Sequence, residues 1–293
     1  DAPVTFYRNG RFLDLCRGPH LQSTGELKAF KLTHVAGAYW LGNERNEMLQ
    51  RIYGTAFESP AELEAHLAQI EEALKRDHRR LGKDLDLFSV HEEVGAGLIH
   101  WHPRGGMVRH LIEEFWKDEH LKRGYQLVYT PHIASEKLYE ISGHLQNYAD
   151  LMYAPMDIDG QPYRVKPMNC PMHIMIYKTR KHSYRELPIR MAEMGTVYRY
   201  ERSGVLHGMD RVRGFTVDDS HIFCTPEQLA EEVSGILDLM DFLLKSFGYT
   251  YTCYLATRPK EHSLGTEEQW EFATTALRDA LEKRGQPYEV DEG

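Results

Sequence analysis

Residues Arg190 to Phe223 read RMAEMGTVYRYERSGVLHGMDRVRGFTVDDSHIF, and this stretch decides how the chain folds and what it can bind. Two β-like runs are joined by a glycine-containing loop, which argues for neighbouring antiparallel strands. Arg199 and Glu201 leave the first run two residues apart, so as alternate residues of a strand they share a face. Arg211 and Arg213 bring the loop back to Phe215, Asp219 and His221. Taken alone, Arg199 and Glu201 fit an ordinary ion pair on a solvated sheet face. With Arg211 and Phe215 on the return strand, the set fits a nucleoside triphosphate better. Planar guanidinium forks clamp phosphate oxygens, and an aromatic ring stacks on a purine. One guanidinium at the α-phosphate would stabilise charge developing during in-line attack, and a second would hold the terminal phosphate, with no general base required.

Cys170 lies upstream in KPMNCP, and with His221 it offers a soft thiolate and an imidazole to a metal. A lone cysteine is more often a small buried hydrophobe. This pair also lacks the close spacing of structural zinc sites. A catalytic zinc, however, needs only three protein ligands and leaves a position for substrate. Cys170 and His221 supply two, and His173 and His207 are nearby candidates for the third. Asp219 would share the strand face of His221, where it suits a substrate hydroxyl or the histidine's second nitrogen. A third constellation is DLCRGPH, with Cys16 and His20. That spacing fits a reactive thiol pair, half of a metal site, or a turn carrying a buried cysteine with Arg17 and His20 in solvent.

The 293 residues suffice for one large domain with an appendage, or for two domains. A hydrophobic fraction of 42% excludes wholesale disorder. Cys16, Cys170, Cys224 and Cys253 form no CxxC pair, so the chain is not a disulfide scaffold and suits a reducing cytoplasm. The most apolar run, Val233 to Leu244, is too short for a bilayer and is broken by Asp238 and Asp241, so no membrane partner is expected. A formal charge of −9 argues against a broad nonspecific nucleic-acid surface but leaves room for a local basic groove, for which RVKPMNCP and KTRKHSYR supply the charge.

Residues 1–57 hold β-like runs such as VTFY and AYWL with turns at Asn9-Gly10 and Leu41-Gly42-Asn43, and read as part of a small α+β unit. Ser59-Pro60-Ala61-Glu62 is a capping box with proline at the first helical position. Leu63, Leu67, Ile70, Leu74 and Leu81 follow at helical spacing, which predicts one long amphipathic linker helix within 58–84, ending near Gly82. A coiled-coil seam is the alternative, weakened by Asp77 at an apolar position. From residue 85 a larger block begins. It is predicted to hold a helix over Gly106–Arg123, a strand YQLVYT meeting Pro131, and β structure from Leu187 to His221. A helix from the Thr225 cap to Phe247, a strand YTYTCYLA, a helix from the Thr266 cap to Arg284 and a strand from Pro287 follow. Long β runs meeting at a loop favour an α+β fold, an antiparallel sheet flanked by helices. Without GxGxxG or GxxxxGK[ST], neither a dinucleotide fold nor a P-loop is supported.

DLCRGPH, FKLTHVAGAYWLGN, MLQRIYGTAF, KPMNCPMHI, LPIRMAEMGTVYRYERSG, LHGMDRVRGFTVDDSHIFC and LATRPKEHSLGTEEQW occur in this order. In these blocks the chain resembles bacterial-type threonyl-tRNA synthetases, a class II family, along essentially its whole length. The resemblance implies the C-terminal part of an editing domain over 1–57, a linker helix over 58–84 and a class II catalytic domain over 85–293, truncated before motif 3. It implies ATP-dependent activation of L-threonine to threonyl-adenylate, transfer to tRNA(Thr) and hydrolytic editing of seryl-tRNA, with Mg2+ accompanying ATP. Arg199 would be the catalytic arginine on the α-phosphate and threonine carboxylate. Glu201 and Phe215 would hold the adenine and Arg211 the γ-phosphate. Cys170 and His221 match two ligands of one Zn2+, Asp219 the group that bonds the threonine hydroxyl, and Met168 a wall of the amino-acid pocket. Asp14, Cys16 and His20 match part of the editing site, and the segment ending at Pro131 matches motif 1, the family's homodimer interface.

These two sites make physical sense together. A centre that demands a hydroxyl rejects valine, whereas serine lacks only a methyl, a difference worth ~1–3 kcal/mol, so a second hydrolytic sieve is needed. The resemblance also implies that the third zinc histidine, the motif 3 arginine and the anticodon-binding domain fall beyond Gly293, and an HxxxH half of the editing site before Asp1. An internal fragment is therefore expected, incomplete for zinc, ATP and aminoacylation by itself. Two rivals stand beside this reading. A synthetase-like binding module without the chemistry is disfavoured by the intact Arg199, Glu201, Arg211, Cys170 and His221; another class II synthetase is disfavoured by Cys170, His221 and DLCRGPH.

Overall fold

Asn9-Gly10 turns the chain as its sequence predicts: β1 (Phe6–Asn9) and β2 (Phe12–Leu15) pair antiparallel with Asn9 opposite Phe12. The computed structural model describes residues 5–259 and 263–292 and divides into two units, residues 1–77 and 78–293. In the first unit β3 (Ala29–Tyr39) and β4 (Met48–Phe57) form a second antiparallel hairpin, irregular between Leu32 and His34. Helix α1 (Pro60–Lys75) begins at its capping box: Ser59 Oγ accepts from Glu62 N at 3.2 Å, and Glu62 Oε2 accepts from Ser59 N at 3.0 Å.

The expected continuous helix to Gly82 does not form. Arg76 has left helical geometry (φ −98°, ψ 7°), its N–H is shared between the Glu72 and Ala73 carbonyls, and a separate α2 (His78–Asp84) starts in the second unit. Asp77 stands where the repeat of Leu63, Leu67, Ile70 and Leu74 would need its next apolar member, so the amphipathic pattern is interrupted at that turn.

In chain order the second unit continues with β5 (Phe88–Ser89), β6 (His100–Trp101), α3 (Pro103–Lys122), β7 (Gln126–Leu127) and β8 (Ile133–Ser135). Next come α4 (Glu136–Ile141), α5 (His144–Asn147), β9 (Met156–Ile158), β10 (Gln161–Val165) and α6 (Cys170–Tyr177). Then follow β11 (Ile189–Tyr198), β12 (Gly214–Phe223), α7 (Leu229–Ser246), β13 (Cys253–Ala256), α8 (Glu267–Lys283) and β14 (Tyr288–Asp291). The centre is the sheet β12–β11–β7, in which β11 and β12 run antiparallel over their full length and β7 joins β11 in parallel. The pair β13–β14 forms a separate parallel two-stranded sheet, and the expected α+β fold with an antiparallel centre is what the β11–β12 hairpin builds.

YQLVYT yields only two residues of strand for an identifiable reason. Thr130 N donates to the Glu193 carboxylate at 2.7 Å instead of to a strand, and Pro131 has no N–H to give. Helix α3 starts at Pro103, before the predicted Gly106, because proline suits the first turn. Directly opposed residues of an antiparallel pair project to the same side of the sheet. One side of β11 carries Ala192 and Met194, which pack with Trp116 of α3, Tyr125, and Leu239 and Leu243 of α7 into the core. The other side carries Met191, Glu193, Gly195 and Val197, opposed to His221, Asp219, Val217 and Phe215.

Trp116 is 4% exposed at the middle of that core. Truncating it leaves a large cavity, so Trp116→Ala is expected to cost about 3–5 kcal/mol. Urea titration followed by tryptophan-independent circular dichroism checks this, and a change under 1 kcal/mol would contradict the packing described.

Candidate active site

Cys170 opens α6, whose first turn is helped by Pro171, while Asp219 and His221 are alternate residues of β12 and share its face. Their ligand atoms lie within 4.8 Å of one another, and all three side chains are half-buried. The two residues assigned to a metal from the sequence are thus brought together, and Asp219 is the third member of the cluster. His207 is exposed, its backbone paired with Arg211. His173 is buried with both ring nitrogens engaged: Nδ1 lies 2.8 Å from His221 Nδ1, and Nε2 lies 2.9 Å from Glu193 Oε2.

The donor set fits zinc. Tetrahedral bonds of ~2.0–2.3 Å need ligand atoms somewhat closer than this cluster, a gap that small side-chain shifts would close. Burial pushes the Cys170 thiol up, and Asp219 adds to the push, so a cation is what would make it a thiolate. Burial also pushes His221 down, against the pull of Asp219, and keeps the imidazole in its neutral, ligating form.

Asp219 is held by a residue that carries no signal in the sequence pattern. Asn169 is fully buried and its Nδ2 donates to Asp219 Oδ2 at 3.0 Å. Gly195 makes room for it: a Cβ there would stand 2.2 Å from Asn169 Nδ2. Behind the same face Lys166, Glu193 and His173 are buried together, joined by the half-buried Thr130. Burial alone would raise the Glu193 carboxyl, but hydrogen bonds from His173 and Thr130 and the charge of Lys166 outweigh it and hold the pKa below its ordinary value. Burial pushes Lys166 down, and Glu193 and Asp219 pull the other way. Glu193 had a readable signature: a carboxylate at an alternate position among Ile189, Met191 and Val197 on the buried side of a strand.

Arg199, Glu201, Arg211 and Phe215 line one cavity of about 590 Å³. Their common face does not come from strand alternation, as the sequence suggested. The ladder ends at Tyr198, Arg199 N still donates to Arg213 O at 2.9 Å, and Glu201 N then turns back onto Arg199 O at 2.9 Å. The Arg199 guanidinium carbon stands 5.1 Å from the Phe215 ring centre and 5.9 Å from that of Tyr148. Glu201, nearly buried, accepts from Arg211 Nε at 3.2 Å, and its carbonyl accepts from Arg213 Nε at 2.9 Å. Met168 is half-buried between Pro167 and Asn169.

In the first unit Asp14, Cys16 and His20 are all exposed and line one cavity of about 710 Å³. The buried-cysteine alternative for this turn is therefore ruled out. Thr5 fixes the strand end, donating from Oγ1 to Cys16 O at 2.6 Å and accepting from Cys16 N at 3.2 Å. The His20 ring lies against Tyr7, with ring centres 4.0 Å apart and planes tilted by 37°. Gly18 has φ +63°, and a Cβ there would lie 2.1 Å from the Tyr7 hydroxyl, so only glycine lets the turn reach His20.

Residues 153–282, within the second unit, match the family model described as "tRNA synthetase class II core domain (G, H, P, S and T)". Residues 4–53 match "Threonyl and Alanyl tRNA synthetase second additional domain". The chain is 60% identical to a threonine–tRNA ligase of Dehalococcoides mccartyi over 100% of its own length and 50% of the relative's. With that of Magnetococcus marinus it shares 58% identity over 99% of this chain and 45% of the relative. Among solved structures, the RNA binding domain of threonyl-tRNA synthetase from Cryptosporidium parvum superposes with a TM-score of 0.70 at 44% identity, covering 74% of this chain and 54% of that one. A Giardia lamblia prolyl-tRNA synthetase, at 15% identity and a TM-score of 0.54 over 60% of this chain and 36% of its own, shares the fold alone. The chain belongs to the threonyl-tRNA synthetase family. It spans about half the length of the curated relatives it matches. Among the described residues, no helix is long and apolar enough to cross a membrane.

The Asn169–Gly195 contact yields a direct check. Gly195→Ala forces a methyl into Asn169 and is expected to cost about 1–3 kcal/mol, as overpacking does. In the double variant with Asn169→Ala the methyl has room, so the two changes should cost less than their sum in urea melts. Simple additivity would mean the two side chains do not meet.

Proposed function

We propose that this chain carries the amino-acid-activating core and part of the editing unit of a cytoplasmic threonine–tRNA ligase. Its substrates are L-threonine, ATP as its Mg2+ complex, and tRNA(Thr). The observation that carries the reading is the convergence of Cys170, from the start of α6, with Asp219 and His221 within 4.8 Å, the latter two on the strand that also bears Phe215 beside Arg199.

Arg199 holds the α-phosphate and the threonine carboxylate, so that a carboxylate oxygen attacks the α-phosphorus in line. The α–β phosphoanhydride bond breaks and pyrophosphate leaves. Phe215 supports the adenine with Glu201, and Arg211, exposed and only singly bonded to Glu201, is free to swing onto the γ-phosphate. Asp219 accepts from the threonine hydroxyl, with Asn169 fixing its other oxygen, and Met168 walls the pocket. Cys170 and His221 would hold the zinc ion, which supplies a Lewis acid for the amino group and hydroxyl of threonine. A site built around that hydroxyl rejects valine strongly and serine weakly. Asp14, Cys16 and His20 accordingly serve hydrolysis of seryl-tRNA in the first unit's cavity. A homodimer through the segment ending at Pro131 completes the proposal.

Amino-acid-dependent ATP–pyrophosphate exchange tests it, run on this chain and on a polypeptide extended at both ends to the relatives' length. The extended protein should bind one zinc, activate threonine, tolerate serine within ~200-fold and exclude valine. Arg199→Ala should lower exchange by ~10²–10³-fold, and Cys170→Ala should lose the zinc. The short chain should lag the long one. Equal activation of valine, or zinc retained by Cys170→Ala, would overturn the assignment.

A further inference from the structure

The short strands β5 and β6 carry a second cluster of reactive side chains, which takes no part in the steps above. Ser89 and His91 are alternate residues at the end of β5, and His100 and His102 are alternate residues along β6 and just beyond it. Ser89 pairs with His100 across the ladder, so the pattern puts all four side chains on one side of the pair. A backbone bond from His102 N to Leu87 O, 2.9 Å, carries the pairing one step further. Gly105 permits this approach, since a Cβ there would overlap the Leu87 carbonyl.

The contacts follow the order of a nucleophile, a base and an orienting carboxylate. His102 Nε2 lies 2.8 Å from Ser89 Oγ, and His102 Nδ1 lies 2.6 Å from Asp86 Oδ1. His91 Nε2 also reaches Ser89 Oγ, at 2.8 Å. Such a constellation is recognised by its geometry and not by chain order. A carboxylate oxygen accepts, so Asp86 takes the His102 Nδ1 hydrogen and leaves Nε2 facing the serine. Two features separate this group from a network that only closes the turn. His102 is the N-cap of α3, yet its side chain bonds no N–H of the first helical turn and is engaged with Ser89 and Asp86 instead. Asp86 holds a left-handed backbone, φ +56°, a strained conformation for a residue with a Cβ and one that gathers at functional sites. Ser89 is half-buried and His91 exposed, so the serine oxygen is open to solvent-borne substrates.

We propose that Ser89 is an activated nucleophile that hydrolyses small carboxylic esters, an activity separate from the first unit's cavity and independent of the metal reading. Ser89 Oγ bonds to the acyl carbon while its hydrogen passes to His102 Nε2. The charge that develops on the carbonyl oxygen lies within reach of a hydrogen bond from His91. The bond to the leaving alcohol oxygen then breaks, and His102 returns the proton to that oxygen. Water next attacks the acyl carbon and gives a proton to His102; the bond to Ser89 Oγ breaks, and Oγ takes the proton back. Ester and water become acid and alcohol, with no further reactant. His100 completes the group: its ring meets that of His91 edge-on at 5.0 Å, and its buried Nδ1 has no partner among the described residues, a polar atom for the acyl group to meet. Asp86 is a positioning residue that acts through His102.

Hydrolysis of p-nitrophenyl acetate by the whole chain tests this at about pH 8, where an imidazole is ordinarily neutral. Labelling by a fluorophosphonate, read by peptide mass spectrometry, runs beside it. The probe should attach at Ser89, with an oxygen–phosphorus bond formed and fluoride expelled, in the folded protein and not in denaturing urea. Ser89→Ala should abolish enzymatic hydrolysis while leaving the circular dichroism spectrum unchanged, and His102→Gln should lower kcat by ~10²–10⁴-fold. Asparagine also tolerates positive φ, so Asp86→Asn keeps the turn and should lower kcat with KM unchanged. Hydrolysis that survives Ser89→Ala, or a folded protein that takes no adduct at Ser89, overturns the proposal.

Discussion

The pairing of β11 with β12 is the constraint on which everything else depends. Its register sets Met191 opposite His221 and Glu193 opposite Asp219, so one face of the hairpin collects the polar chemistry and the other faces the core at Trp116 and Leu239. A slip of β12 by one residue would turn Asp219 and His221 into the hydrophobic layer and Ser220 and Ile222 onto the polar face. The apolar packing of that second face therefore enforces the geometry of the first.

The polar face is expensive to bury and is built so that each group answers another. Glu193 accepts from Thr130 and His173 beside Lys166, and Asn169 donates to Asp219. Removing one member would leave its partner dry and unpaired, which costs far more than an exposed ion pair is worth. Such a network accounts for the short strand at Gln126–Leu127: Thr130 serves Glu193 rather than the sheet. Rigidity on this face follows from the same bonds, since Asp219 and His221 each have a buried residue behind them.

Much of this was legible in the sequence. The central hairpin, the cap at Ser59, the helices α7 and α8 and the convergence of Cys170 with His221 follow from turn chemistry, capping signals and the family's motif order. The break at Arg76–Asp77 was not, because periodicity resumes at Leu81 and hides it. The shared face of Arg199 and Glu201 was anticipated for the wrong reason; a tight turn after Tyr198, invisible to alternation, produces it. Asn169, Lys166 and Thr130 were out of reach, since their roles arise from contacts between distant segments. His173, one of two candidates for a third ligand, is set by the fold between Glu193 and His221.

X-ray absorption at the zinc edge of the metal-loaded protein bears most directly on the central claim that hairpin register and the start of α6 converge on one cation. One sulfur at ~2.3 Å and imidazole nitrogen at ~2.0 Å are expected, with the sulfur lost in Cys170→Ser. A shell of nitrogen and oxygen alone in the unaltered protein would contradict it.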